Sequence, residues 1–191
     1  AGDFTRAVHR CTGVGKCRAD STATGGVMCP SYLATREEKD STRGRARVLQ
    51  EMLNGALVAE SWRSKEVHEA LDLCLSCKGC SSDCPTGVDM AKWKSEVLHQ
   101  TYRHRPRPIS HYTLGRLPRW AALASRAPRL VNAVTALPGV ATAALVAGGM
   151  DRRRTVPRFA TRTFRRWFAD SAAERAQTGD PVLLFVDTFT D

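Results

Sequence analysis

Apolar residues recur at helical spacing in three stretches of the first hundred residues. In "STRGRARVLQEMLNG" Val48, Leu49, Met52 and Leu53 share one face, and Asn54-Gly55 supplies a C-terminal stop. "TREE", Thr35 to Glu38, precedes that stretch with the spacing of a capping box. A second helix is predicted from Ser64 to about Leu73, with Val67, Ala70, Leu71 and Cys74 on one side. In "GVDMAKWKSEVLHQTYRH" Asp89 is the predicted cap, and Met90, Trp93, Val97 and Leu98 form the inward face. Nothing in this half reads as a strand. The predicted order is loop, helix, helix, loop, helix.

The pattern then changes. "RHRPRP", residues 103 to 108, ends the third helix, because its two prolines remove donors and extend the residues before them. Pro118, Pro128 and Pro138 recur at ten-residue intervals, each followed by apolar, Ala-rich sequence. Proline at the first helical position predicts three short helices laid end to end. Residues 130 to 150 carry no charge over 21 positions, which raises the question of a membrane span. Pro138-Gly139, Gly148-Gly149 and the many Ala and Thr favour packed helices instead, and the Arg-rich flanks suit peripheral contact with an acidic lipid surface. The chain closes on "PVLLFVDTF", an apolar run that reads as a buried strand. A lone strand has no sheet to join, so the sequence is expected to be a piece of a longer protein.

The seven cysteines fall into groups of three and four, with proline directly after the last of each (Cys29-Pro30, Cys84-Pro85). An odd count and CxxC spacing point to metal binding in a reducing compartment rather than to a disulfide framework. With no signal segment at the start, the expected location is cytoplasmic, peripheral at the inner face of the membrane if lipid contact is made. In Cys74-x2-Cys77-x2-Cys80-x3-Cys84-Pro85 three thiolates fold around one face of an iron–sulfur cube while the fourth points elsewhere. In two-cluster ferredoxins that fourth cysteine ligates the other cluster. Zinc is the alternative, but zinc knots pair one CxxC with a distant CxxC or a His pair.

The first group, in a loop of residues 11 to 30 rich in Gly, Thr and Ser, is the same template with Val14 where the middle cysteine would stand. Cys11-x5-Cys17 is followed by Cys29-Pro30 as the remote fourth ligand. Crossing the ligands assigns Cys74, Cys77, Cys80 and Cys29 to one [4Fe-4S] cluster. It leaves Cys11, Cys17 and Cys84 to a second site one thiolate short. Three outcomes stay open there: a [3Fe-4S] cluster, a [4Fe-4S] cluster whose last iron takes His9, Asp20, Asp83 or water, or no cluster.

The net charge of +10 belongs to the second half. Residues 1 to 100 carry 14 basic and 13 acidic side chains, whereas residues 101 to 191 carry 15 Arg, no Lys and 6 acids. Arginines interleaved with Trp120, Phe164, Trp167 and Phe168 permit a nucleic-acid reading. Contact with acidic faces of neighbouring domains or with lipid headgroups explains them better. Lys16, Arg18, Lys78 and arginines 43, 45 and 47 lie near the cysteines and have the charge to raise a cluster potential, although a solvated helix face is the plainer reading of any single one. No catalytic constellation is present: there is no Ser/His/Asp grouping and no phosphate-cradling glycine loop, and the five histidines are scattered.

"RCTGVGKCR", "GVMCPSYLATREEKDSTRGRAR", "LDLCLSCKGCSSDCPTGVDMAKWKSE" and "LLFVDTFTD" together resemble the C-terminal half of bacterial fused FAD-linked oxidases, which are D-lactate or D-2-hydroxyacid dehydrogenase-like proteins. The resemblance implies an all-α fold: an α-helical ferredoxin with loops wrapping iron–sulfur clusters, then short Pro-initiated helices and a single terminal strand from a truncated α/β domain. It implies that residues 1–10 end an upstream flavin domain, 11–103 form the ferredoxin, 104–180 form an Arg/Pro-rich connector, and 181–191 begin a cysteine-rich domain of the glycolate oxidase and heterodisulfide reductase kind. The implied whole enzyme oxidises a D-2-hydroxy acid at FAD and sends electrons through the clusters to a quinone, a cytochrome or another redox acceptor. No flavin-binding or substrate-binding residue falls in this chain. The same ferredoxin as a separate subunit of a succinate dehydrogenase-like or heterodisulfide reductase-like complex is the second reading.

Overall fold

Short polar side chains start four of the helices in the N-terminal unit. The computed structural model describes residues 3–55, 61–171, 180 and 182–187, and the chain divides into two units, Ala1–Pro106 and Arg107–Asp191. In the first unit the helices are α1 (Phe4–Val8), α2 (Pro30–Thr35), α3 (Thr42–Asn54), α4 (Lys65–Asp72), α5 (Gly79–Asp83) and α6 (Met90–Tyr102). Asp3, Ser41, Ser64 and Asp89 each accept a backbone N–H of the first turn of α1, α3, α4 and α6, which satisfies donors that have no partner within the helix. Gly55, left-handed at φ 66°, closes α3.

One core holds this unit together. Leu49 and Met52 of α3, Val67 and Leu71 of α4, and Met90, Trp93 and Val97 of α6 are buried together with Val8 of α1. Each large apolar side chain removed from water in this way contributes about 1.5–3 kcal/mol. Residues 4–8, which the family resemblance places at the end of an upstream domain, therefore pack into the same core as the cysteine loops. The helices α3 and α4 pack on one another, with a 3-10 turn at Glu38–Asp40 against both.

Three local expectations change. The start of α3 is Ser41, not "TREE": Thr35 ends α2, a helix the sequence pattern does not announce, and its hydroxyl accepts the Glu37 N–H at 3.2 Å instead of capping a following helix. A short helix, α5, forms inside the second cysteine motif. Pro118 and Pro128 do occupy the first turns of α8 (Leu117–Ala124) and α9 (Pro128–Thr135), but Pro138 lies ahead of α10 (Val140–Ala147), whose cap is left-handed Gly139 at φ 79°.

The second unit contains α7 (Ile109–Thr113), α8, α9, α10 and α11 (Phe164–Asp170). Among its described residues Leu145 is the only buried apolar side chain, and Trp120, Leu123, Leu130, Val134, Trp167 and Phe168 are exposed. Asn132 ties the following loop down by accepting the Phe159 N–H at 2.9 Å and donating to its carbonyl at 2.8 Å. Among the described residues no single helix is long and apolar enough to cross a membrane; α9 and α10 reach that length only together, bent by 98°. The predicted terminal strand does not form in residues 182–187, where Val182, Leu183 and Phe185 stand in solvent; a strand needs a neighbour to take its backbone hydrogen bonds, and among the described residues no strand pairs with it. Residues 181 and 188–191 of that stretch lie outside the described residues.

Candidate metal centre

The cysteines gather around two small cavities in the first unit. Cys29, Cys74, Cys77 and Cys80 line one of them, together with Thr42, Arg45 and Met90. Cys11, Cys17 and Cys84 line the other, together with Val14, Thr42 and Arg43. Cys29 thus stands apart from the group it belongs to in sequence, and so does Cys84.

Local backbone chemistry explains the placement. Cys29 is the residue before Pro30 at the start of α2, and Cys84 is the residue before Pro85 at the end of α5; each is extended, the conformation that a following proline imposes. Its extended backbone turns each of these cysteines away from its own loop. The loop of Cys74 to Lys78 turns sharply because Ser76 and Lys78 are left-handed at φ 54° and 62°, a region costly for residues with a Cβ. An ion pair and a hydrogen bond hold that loop: Lys78 Nζ reaches Asp89 Oδ2 at 3.0 Å, and Lys94 Nζ donates to the Cys74 carbonyl at 2.8 Å. Across the first group, Gly13 and Gly15 are left-handed at φ 87° and 80°, and Val14 between them is 65% exposed.

The sulfurs receive donors in matching ways at the two sites. The Arg43 N–H, in the first turn of α3, donates to Cys17 Sγ at 3.3 Å, and the Met90 N–H, in the first turn of α6, donates to Cys80 Sγ at 3.3 Å. A hydroxyl two residues beyond each Cys-Pro cysteine touches its sulfur: Ser31 Oγ at 3.4 Å from Cys29 and Thr86 Oγ1 at 3.2 Å from Cys84. Buried Arg45 places Nη1 at 3.5 Å from Cys29 Sγ, and its other nitrogens donate to the Ala70 carbonyl at 2.8 Å and to Ser31 Oγ at 2.9 Å.

These contacts set the thiol acidities. Burial pushes Cys17 and Cys80 above the ordinary thiol range, only partly offset by the Arg43 and Met90 amides. Burial works in the same direction at Cys29, but the Ser31 and Thr42 hydroxyls, the Tyr32 amide and the Arg45 charge outweigh it and lower that thiol. At Cys84 the burial effect is likewise outweighed, by the Thr86 hydroxyl and the Val88, Thr86 and Gly87 amides. Ligation requires thiolates, so a bound metal would have to offset the effect of burial at Cys17 and Cys80. Among the described residues no three of His, Cys, Asp and Glu stand close enough to hold a single metal ion. A structural zinc needs four ligands, thiolates about 2.3 Å away, converging on one ion, whereas a cluster places a separate iron behind each thiolate.

The three side chains weighed for the vacant fourth position lie elsewhere. His9 Nδ1 donates to the Thr5 carbonyl at 2.7 Å. Asp20 accepts from the amide and hydroxyl of Thr22. Asp83 accepts the Val27 and Met28 N–H groups at 2.7 and 3.0 Å, which fixes the segment leading into Cys29. Spacing alone does not reveal Arg45, Lys94 and Asp83 as supports of the cysteine loops, because each acts on a partner at least sixteen residues away in sequence.

Residues 7–88 match the family of 4Fe-4S dicluster domains. The chain carries an iron–sulfur domain of that type. The likeness extends beyond it to D-2-hydroxyacid dehydrogenase-like proteins. A D-2-hydroxyglutarate dehydrogenase of Pseudomonas putida is 31% identical over 163 residues, 69% of this chain and 16% of that protein. One from Escherichia coli is 28% identical over 162 residues, 66% of this chain and 16% of that protein. The glycolate oxidase iron-sulfur subunit of Escherichia coli is 36% identical over 62 residues, 32% of this chain and 14% of that protein. The chain thus spans about 16% of the length of the D-2-hydroxyglutarate dehydrogenases it matches. No solved structure matches the chain.

Proposed function

We propose that the first unit is the electron-transfer segment of an FAD-dependent D-2-hydroxyacid dehydrogenase, with Cys29, Cys74, Cys77 and Cys80 ligating one cluster and Cys11, Cys17 and Cys84 ligating a second. The observation that carries this reading is the division of all seven cysteines between two adjoining cavities, with the Cys-Pro cysteines exchanged. Bound clusters supply reversible one-electron transfer at the site. The chain's own part is to hold the sulfurs in place and to donate Arg43, Arg45 and Met90 N–H groups toward them. In this reading electrons arrive from a flavin elsewhere in the protein and leave to a quinone, cytochrome or other acceptor. The relatives' names direct the substrate toward D-2-hydroxyglutarate or D-lactate-like acids. Similarity to the glycolate oxidase iron-sulfur subunit also supports the same unit working as a separate subunit beside a flavoprotein. A peripheral position at the cytoplasmic face of the membrane accords with the Arg-rich second unit.

The test uses the full-length flavoprotein, anaerobically. Adding D-2-hydroxyglutarate or D-lactate should bleach the visible iron–sulfur absorption of the parent. Cys29→Ser should remove the four-cysteine cluster and leave the other site's signal, and Cys84→Ser should do the reverse. Clusters that stay oxidised while substrate reduces the flavin would overturn the proposal, as would both variants losing the same signal.

A further inference from the structure

The second cavity is ringed by residues that substitute poorly for the missing thiolate. Beside Cys11, Cys17 and Cys84 it is lined by Gly13, Val14, Gly15, Met28, Pro85 and Val88, by Thr42 and Thr86, and by the cations Lys16 and Arg43. Arginine has no acceptor, and an ammonium offers none while protonated. No carboxylate or imidazole lines the cavity, and His9, Asp20 and Asp83 make the contacts described above. Val14, where the cysteine template has its middle cysteine, also lines the cavity, held between two left-handed glycines and open to solvent. Besides water, the lining offers an iron there only weak neutral donors, the Thr42 and Thr86 hydroxyls and the Met28 thioether, and Thr86 already contacts Cys84 Sγ at 3.2 Å. An iron without a protein ligand at an exposed edge is the one that dissociates.

We infer that Cys11, Cys17 and Cys84 hold a [3Fe-4S] cluster, and that Val14 is the residue that sets its nuclearity. This rests on the proposal that the seven cysteines ligate clusters, and departs from two four-iron clusters, the content that a 4Fe-4S dicluster family suggests. Gly13 and Gly15 give the loop its left-handed turns on either side of position 14. A cysteine at position 14 would therefore put a thiolate at the cavity edge without rebuilding the backbone.

The test is EPR and iron analysis of the full chain produced and purified without air, with intact cells measured beforehand. The parent should bind about seven irons and show, before any reductant is added, the signal of an oxidised three-iron cluster. Val14→Cys should bring iron to about eight and replace that signal by a second reduced-state one. If Val14→Cys does not fold, Cys84→Ser serves instead: it should abolish the oxidised signal and leave the reduced-state signal of the four-cysteine site. A parent with about eight irons and no oxidised signal, or an oxidised signal that appears only after exposure to air, overturns the inference. So does a parent with about four irons and no oxidised signal, which would mean an empty second site. All of these differ from a chain that binds no iron, the result that would sink the proposed function itself.

Discussion

Arg45 is the buried charge on which the four-cysteine site depends, and replacing it with methionine separates its electrostatic role from its bulk. Arg45 and Asp40 are each 1% exposed, their charged atoms 3.9 Å apart, and neither carboxylate oxygen of Asp40 accepts a hydrogen bond. Arg45→Met keeps an unbranched apolar stem but removes the two short hydrogen bonds to Ala70 and Ser31, each about 1.5–3 kcal/mol with a charged donor. It also leaves Asp40 as an uncompensated buried charge, and breaking such a pair from one side costs about 3–5 kcal/mol. The two figures overlap, so the expected loss is about 3–5 kcal/mol, against a total stability of about 5–15 kcal/mol for an ordinary domain. Urea unfolding of the cluster-loaded chain at fixed incubation time, followed by far-UV circular dichroism and by visible absorption, reads this as a midpoint lower by at least about 1 M. Adding Asp40→Asn should recover part of the loss, because removing both charges of a buried pair is far milder than removing one. A single variant within about 1 kcal/mol of the parent, or Asp40→Asn and Arg45→Met losses that simply add, would refute the reasoning.

Two further perturbations test the scaffold. Gly44→Ala would normally stabilise a helix by about 1 kcal/mol, but a Cβ at Gly44 would lie 1.9 Å from the Glu38 carbonyl oxygen and 2.7 Å from its carbon, so the thermal midpoint should fall and not rise. Asp89→Ala removes the cap that accepts the Lys92 N–H at 3.1 Å and should cost about 0.5–2 kcal/mol at neutral pH, measured by denaturant unfolding. Burial opposes ionisation of Asp89, but the Lys78 ammonium and the Lys92 amide prevail and hold its carboxyl below the usual range. That contribution is present above the unfolded value of about 3.9 and fades as pH falls through the lower folded value, so parent and variant should converge in acid.

What the sequence reveals here is local. Ser64 and Asp89 cap their helices as short-range rules expect, and the inward residues Val67, Leu71, Met90, Trp93 and Val97 are the ones buried. The capping box at residues 35–38 misleads because the chain first closes α2 and a 3-10 turn before Ser41 accepts the Gly44 N–H. Arg43, Arg45 and Arg47 read alike in sequence, yet residues two apart on a helix face nearly opposite directions. Arg47 is largely exposed, Arg43 reaches Glu38 at 2.7 Å, and Arg45 is sealed against Cys29. Helical periodicity sets Arg45 four residues before Leu49 and seven before Met52, on the inward face, but not what it meets there, since α4 and the turn at residues 38–40 come together from separate parts of the chain. The spacing Cys-Pro-Ser and Cys-Pro-Thr is by contrast fully legible, and in both places it sets a hydroxyl beside the sulfur two residues earlier.

The exchange of the Cys-Pro cysteines makes the two cavities interdependent. Thr42 lines both, and along three segments adjacent or alternate residues serve different sites: Met28 and Cys29, Arg43 and Arg45, Val88 and Met90. Asp83 carries this furthest. It stands next to Cys84 of the three-cysteine site, and its carboxylate holds the amides of Val27 and Met28, the last two residues before Cys29 of the four-cysteine site. Gly79 permits the approach, since a Cβ there would lie 2.8 Å from Val27. Fixing Cys84 therefore fixes Asp83, and Asp83 fixes the segment that delivers Cys29 across the divide. A chain built this way positions both sets of sulfurs by one set of contacts.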